Sequence, residues 1–215
     1  MRPGPDYIYQ CPECSNLLRK GSLWSGNTFG GKLYSDGKMV ASMLPAFPNL
    51  TKCKKCGSLL WLSDMEEIGT DEWEHRNREY KTADRVEFLD IPDLFRFLEL
   101  DIVKCSIEKE KIVRRKIWLA FNDRIRTQSF FKRKQIFTRE SDEALWKQNC
   151  LRLLELYDPA NISDKLMAAE LYRNLGEFNV CVKILDSVDD EDCDWFVEKL
   201  KGECEKKNKL LVRLR

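Results

Sequence analysis

Two cysteine pairs with the same short spacing are the side chains in this sequence best suited to chemistry. The first pair stands in Cys11-Pro12-Glu13-Cys14 and the second in Cys53-Lys54-Lys55-Cys56, with 38 residues between them. A C-x-x-C turn directs two thiolates at one point, and a second such turn completes a tetrahedral cage of sulfur ligands. Pro12 pre-sets φ for its turn, and Gly57 permits the positive φ that often closes one. The spacing therefore predicts one closed metal site, whose ligands are Cys11, Cys14, Cys53 and Cys56.

Zinc is the metal that this ligand set favours, because four thiolates in a tetrahedron are typical of structural zinc sites. Iron is the alternative, since rubredoxin-like proteins also hold a metal between paired C-x-x-C turns. A closed site leaves no coordination position open for a substrate. We therefore expect the metal to stabilise the fold and not to catalyse a reaction.

Short strands are predicted to position the two cysteine turns. Residues 7–10 and 58–62 are β-prone, and they flank the cysteines as the strands of a ribbon would. A ribbon of this size buries too little apolar surface to fold alone, so metal binding must supply much of its stability. We therefore assign residues 1–63 to a small β zinc-ribbon domain.

A hairpin is predicted between the two cysteine pairs. Residues 32–35 and 38–41 are expected to be its strands, joined by a two-residue turn at Asp36-Gly37. A type I′ turn at those residues would place Tyr34 opposite Met39.

The rest of the chain is predicted to be a charged connector followed by helices. Residues 64–90 are highly charged with scattered aromatics, which is typical of a connector, whereas apolar side chains recur at helical spacing after residue 91. We predict a helix near Pro92 and others over about residues 104–126, 142–157, 163–175 and 177–187. On the 104–126 helix the side chains expected to face inward are Ile107, Ile112 or Val113, Ile117, Leu119, Ala120 and Ile125. The fold class is therefore α+β: the ribbon, then an all-α domain over residues 91–215 that we expect to fold without it.

One helical pair resembles a tetratricopeptide repeat. Its small–aromatic–Gly–aromatic–small–large series is Ala169, Tyr172, Gly176, Phe178, Cys181 and Leu185. Lys165 departs from the pattern, which favours a large apolar residue there, and no second copy stands about 34 residues to either side. The whole arrangement combines CPxC and CxxCG with helices that contain RKIWLAFNDRIR and AELYRNLGEF. It resembles uncharacterised bacterial zinc-ribbon proteins with a helical C-terminal part, which implies an architecture and no particular activity.

The remaining cysteines and the single histidine offer weaker candidates for a metal site. None of Cys105, Cys150, Cys181, Cys193 and Cys204 forms a C-x-x-C pair. Cys150 and Cys181 fall on apolar helix faces, so we expect buried small side chains there, with a second metal site as the alternative. His75 has no second ligand at a suitable spacing and is expected to be a hydrated linker residue.

Charge is strongly segregated along the chain. The net charge is +1, yet residues 104–139 carry 12 basic and 3 acidic side chains. This block interleaves cations with Trp118, Phe121, Phe130 and Phe131, a pattern that can hold a phosphate backbone and stack bases. The alternative is a solvated face that neutralises the acidic segments on either side, with the aromatics in the core. The candidate partner surface consists of Arg114, Arg115, Lys116, Lys132, Arg133 and Lys134.

Composition narrows the function further. No run of 18 apolar residues predicts a membrane span, and the first ten residues lack the apolar segment of a signal peptide. Nine cysteines without a secretory signal favour the reducing cytoplasm and metal binding over disulfides. The sequence also lacks a Gly-rich phosphate loop and a G-x-S-x-G motif, so we predict no catalytic activity. We expect a cytoplasmic protein–protein interaction scaffold with an unknown protein partner; the alternative is a nucleic-acid-binding protein that uses the ribbon and residues 104–139.

Overall fold

The computed structural model describes residues 1–72, 75, 77–126 and 135–215, and strands precede helices along them. The strands are β1 (Arg2–Pro3), β2 (Asp6–Gln10), β3 (Leu17–Lys20), β4 (Leu23–Ser25), β5 (Lys32–Leu33), β6 (Met39–Val40), β7 (Leu50–Lys52), β8 (Leu59–Trp61), β9 (Glu67–Asp71) and β10 (Asp84–Arg85). The α-helices are α1 (Ile91–Phe97), α2 (Asp101–Lys104), α3 (Ile107–Arg126), α4 (Asp142–Leu156), α5 (Ile162–Leu175), α6 (Phe178–Asp186) and α7 (Asp194–Glu205). The α+β class is confirmed. Among these helices none is both long and apolar enough to cross a membrane.

The chain folds as two compact units whose boundaries differ from the predicted ones. The first unit contains residues 1–31 and 40–93, and the second contains residues 32–39 and 94–215. Residues 64–90, predicted to be a connector, contribute β9 and β10 to the first unit. Residues 32–39, which we had assigned to the ribbon domain, belong to the helical unit.

The first unit is built on a four-stranded sheet in the order β10-β3-β2-β9. The central strand β2 is antiparallel to β3 and β9, while β10 runs parallel to β3. Tyr9 of β2 lies opposite Leu18 of β3, and both side chains are buried. They pack with Cys11 and Cys53 in one apolar cluster, so the sheet forms a wall of the core that contains the cysteines.

A buried ionic cluster explains why residues 64–90 fold onto the sheet. The Arg19 guanidinium on β3 donates to Asp6 on β2 at 3.0 Å and also to Asp71 on β9. Its other terminal nitrogen donates to the Tyr80 carbonyl at 2.6 Å. Since a buried charge needs both a counter-charge and full hydrogen bonding, Arg19 fixes three strands and the following loop together.

The hairpin forms with a different turn from the one predicted. The Gly37 N–H donates to the Tyr34 carbonyl at 2.9 Å, and the Tyr34 N–H donates to the Lys38 carbonyl at 3.0 Å. Tyr34 is therefore bonded to Lys38, not placed opposite Met39. The positive φ in this turn falls on Gly37 alone, at 76°. A type I′ turn would force Asp36 into the left-handed region too, so the chain instead adopts a three-residue loop that needs it only at glycine.

The hairpin tip is buried within the helical unit and ties two of its helices together. Asp36 is fully buried and accepts bonds from Asn122 at 2.9 Å and Arg126 at 2.7 Å, both on α3. The Ser35 hydroxyl donates to Glu170 on α5 at 2.7 Å. A fragment beginning near residue 88 would lack these partners, so the expectation that residues 91–215 fold alone overlooked part of that unit's core.

The inner face of α3 is only partly the predicted one. Val113, Ile117 and Ile125 are buried as expected, whereas Ile107 and Ile112 are 64% and 43% exposed. Leu119 and Ala120 are half-buried. Trp118 and Phe121 are fully buried instead. Large aromatic side chains bury more apolar area than isoleucine, so they define the face that packs on α4 and α5.

The turn between α5 and α6 is closed by Gly176, as the repeat-like pattern predicted. Its φ is 90°, and the following N–H of Glu177 donates to the Tyr172 carbonyl at 2.9 Å. Ala169, Cys181 and Leu185 are buried between the paired helices. The local geometry of one repeat-like pair is therefore present.

We expect Gly176→Val to destabilise the chain by more than the roughly 1 kcal/mol set by helix propensity alone, because a β-branched residue is strained at positive φ. Gly202→Ala is the matched control, since this helical glycine has open space around it and the change should stabilise slightly. Chemical denaturation gives both values. Native Cys181 should resist thiol labelling and react once Gly176 is replaced; equal stabilities for the two variants would contradict the role of the turn.

Candidate metal centre

The four predicted ligands meet at one point. Their Sγ atoms all lie within 4.8 Å of one another. Cys11 is 3.6 Å from Cys56, and Cys14 is 3.6 Å from Cys53, measured between sulfurs. A tetrahedron with metal–sulfur bonds of about 2.3 Å has edges of about 3.8 Å. The cluster therefore has the size and the number of donors that a four-thiolate metal site requires.

The two cysteine turns have the same backbone design. In the first turn the Ser15 N–H donates to the Cys11 carbonyl, and the Cys11 N–H donates to the Asn16 carbonyl, both at 2.9 Å. In the second, Gly57 and Ser58 take the equivalent places around Cys53 at the same distances. The residue after each second cysteine has positive φ, 57° at Ser15 and 79° at Gly57. Each turn thus aims both of its thiols to the same side.

Paired strands bring the turns together. The first turn connects β2 to β3 and the second connects β7 to β8, and each of these strand pairs is antiparallel. Cys11 and Cys53 are buried in the apolar cluster, Cys14 is half-buried and Cys56 is exposed. The site therefore lies at the edge of the unit, with one pair of ligands anchored in the core.

Polar side chains contact the sulfurs from outside the ligand set. The Asn16 amide lies 3.8 Å from the sulfur of Cys53 and also donates to Asp84 on β10 at 2.8 Å. The Ser58 hydroxyl lies 3.1 Å from the sulfur of Cys56. This contact lowers the pKa of Cys56 to about 6. Such outer contacts orient ligands and favour the thiolate form that a metal binds.

The thiols nearer the core behave in the opposite way. Burial raises the pKa of Cys11, although the backbone N–H groups of Glu13 and Cys14 partly offset it. Partial burial, together with hydrogen bonds from neighbouring thiols, raises the pKa of Cys14 to about 12. Four thiolates cannot coexist here without a cation, because like charges at these distances repel. A divalent metal would supply the missing charge, so the donor set fits a bound metal well.

The predicted basic surface is only partly assembled. Arg114 donates to Glu110 at 2.7 Å and lies 3.5 Å from the Asn149 carbonyl oxygen, while Lys116 is half-buried and has a partner of its own. Arg115 is half-buried. Lys132, Arg133 and Lys134, together with Phe130 and Phe131, lie outside the described residues.

The aromatic side chains of this block that the structure describes are in the core. Trp118 and Phe121 are fully buried, and the Trp118 indole N–H donates to Asn174 at 3.1 Å. These two rings are therefore not available to stack on bases.

The other cysteines form no second metal site within the described parts of the chain. Cys150 and Cys181 are buried, as predicted, and His75 is exposed. Cys181 and Cys204 approach to 3.4 Å between sulfurs, a contact that their separation in sequence did not indicate.

Sequence inspection missed the outer contacts of the metal centre. Ser58 directly follows Gly57, so its place beside Cys56 could have been foreseen from the turn. Asp84 could not, because it reaches the site only through the pairing of β10 with β3. No family model matches this chain, and neither a curated protein nor a solved structure gives a match.

Proposed function

We propose that this chain is a non-catalytic zinc-binding protein of the cytoplasm that acts as a protein–protein interaction scaffold. The cluster of four cysteine sulfurs carries the metal-binding half of the proposal. All four donors are thiolates and the cage is closed, which suits zinc in a structural role. Zinc supplies charge neutralisation and cross-linking there, while β2, β3, β7 and β8 orient the ligands.

An exposed, uncharged surface of the first unit supports the scaffold half. Residues 21–31 and 40–50 contain no charged side chain, although 34% of the whole chain is charged. Trp24 and Phe29 in the first stretch are 67% and 88% exposed, and Met43 and Leu44 in the second are also exposed. Clustered exposed apolar side chains are typical of protein contact sites. We call these two stretches the uncharged loops.

Two features of α3 favour a protein partner over the alternative, a nucleic acid. Four of its cations already have carboxylate partners within the helical unit: Lys111 with Asp164, Arg114 with Glu110, Arg124 with Asp142, and Arg126 with Asp36. The buried Trp118 and Phe121 cannot serve as stacking platforms. The positive block thus neutralises nearby acids, as the solvated-face interpretation predicted.

A paired capture experiment tests the scaffold. We expect the intact chain to retain a specific protein from host lysate, identified by mass spectrometry and then shown to bind when purified. The double variant Trp24→Ser/Phe29→Ser should lose that protein, because it removes the apolar contacts of the uncharged loops. Lys147→Gln, an exposed change on α4, is the control and should retain it.

A salt series separates the two candidate functions. Binding to labelled single-stranded RNA or DNA that weakens steeply between about 50 and 200 mM salt would support the nucleic-acid alternative. Retention of the protein partner across the same range, without measurable nucleic-acid binding, supports the scaffold.

A further inference from the structure

Arg115 differs from the other cations of α3. It is half-buried, its Nε atom is fully buried, and within the described chain that atom has no hydrogen-bond partner. No described carboxylate forms an ion pair with Arg115, whereas Lys111 and Arg114 on either side are paired. A guanidinium cannot lose its proton to escape burial. Its desolvated charge is therefore left without compensation, which is costly.

Tyr157, at the end of α4, supplies a second unpartnered donor. Its side chain is buried, and its hydroxyl oxygen has no hydrogen-bond partner among the described residues. Lys111 lies over the Tyr157 ring, with Nζ 5.1 Å from the centroid. Arg115 is one helical turn after Lys111 and shares its face, so it lies beside the same tyrosine.

The electrostatics agree with this placement. Burial raises the pKa of Tyr157, and the charge of Arg115 acts in the opposite direction. Because burial has the larger effect, the hydroxyl stays protonated near neutral pH and can donate a hydrogen bond. Asp164 is near enough to raise the same pKa, but its carboxylate already accepts from Lys111 and from the Asp158 N–H at 3.0 Å.

The hairpin and α5 complete the surroundings of the guanidinium. A Cβ added to Gly37 would lie 3.3 Å from Nη2 of Arg115 and 3.2 Å from the sulfur of Met167. Neither glycine nor methionine offers a strong acceptor there. Two donors, one of them permanently charged, thus converge where the described chain provides no free acceptor.

We propose that Arg115 and Tyr157 form a small binding site for an oxyanion, either a carboxylate or a phosphate group. Such a group accepts from the guanidinium and the hydroxyl together, and it neutralises the charge, which a bridging water would leave in place. Planar guanidinium geometry suits both kinds of anion. A single cation limits the site to one anionic group. The site lies within the helical unit and does not depend on the metal centre.

Anion titration of the full chain tests this site. Inorganic phosphate and acetate are added separately at constant ionic strength, with NaCl as the balancing salt, and the Arg115 Nε–H signal is followed by NMR. We expect a saturable shift with at least one of them, and the anion that saturates first identifies the preferred group. Arg115→Gln and Tyr157→Phe should each weaken binding by about tenfold or more, as the loss of a charge-assisted bond implies.

Two controls keep the test decisive. Lys147→Gln removes an exposed positive charge from α4 and should bind the anion as the unmodified chain does. Arg115→Met should melt no lower than the unmodified chain in anion-free buffer, since it removes an uncompensated charge. Absence of a saturable shift, equal binding by Arg115→Gln, or marked destabilisation by Arg115→Met would each overturn the proposal.

Discussion

Removal of the metal should unfold the first unit while most of the helical signal remains. Cys11 and Cys53 sit inside that unit's apolar cluster, so loss of the metal leaves four thiols packed where a cross-link held two strand pairs. Structural zinc contributes about 10–16 kcal/mol in small domains, which exceeds the net stability of most of them. We expect Cys14→Ser to have the same effect as a strong chelator.

Two measurements follow this unfolding. Circular dichroism at 222 nm should change little, because α3 to α7 lie in the other compact unit. Amide NMR signals of β2, β3, β7 and β8 should collapse to random-coil positions. Cys105→Ser is the matched control, since Cys105 is exposed and lies outside the cluster. Intact β signals in Cys14→Ser would contradict a metal-dependent fold.

Loss of the Arg173 charge should be the most damaging single change in the helical unit. Arg173 and Glu170 form an ion pair with both side chains fully buried, at 2.6 Å. Arg173 also donates to the carbonyls of Asn208 and Leu210, the latter at 2.9 Å. Arg173→Ala would leave the Glu170 carboxylate buried and unpaired and would release the C-terminal segment. Breaking such a pair costs about 3–5 kcal/mol.

Denaturant unfolding followed by circular dichroism measures this loss. Lys199→Ala, an exposed change on α7, should shift the free energy of unfolding by less than about 0.5 kcal/mol. The double variant Glu170→Met/Arg173→Met should recover much of the lost stability, because it removes both charges and keeps the volume. A double variant as unstable as Arg173→Ala would show that the charges themselves, and not their balance, are required.

The parts of the molecule that were predictable are those set by neighbouring residues. A C-x-x-C turn is fixed by five or six consecutive residues, so Cys11, Cys14, Cys53 and Cys56 could be assigned as one site from spacing alone. The same holds for Gly176, where a glycine between two apolar periodic segments marks a left-handed helix end.

The parts that were not predictable depend on partners far away in sequence. Asp36 looked like a turn residue on a surface hairpin, yet its carboxylate is matched by Arg126 of α3. Residues 64–90 looked like a solvated connector because the role of Asp71 depends on Arg19 in another strand. Charge density alone does not distinguish a solvated segment from one whose charges are paired inside the fold.

The metal content of the purified chain tests the central claim most directly. Elemental analysis of protein expressed without added metal should find about one zinc per chain, as a single closed four-thiolate site requires. Cys14→Ser purified in parallel should contain almost none, and Cys105→Ser should match the unmodified chain. A metal-free native protein, or a red protein that contains iron in place of zinc, would contradict a structural zinc centre.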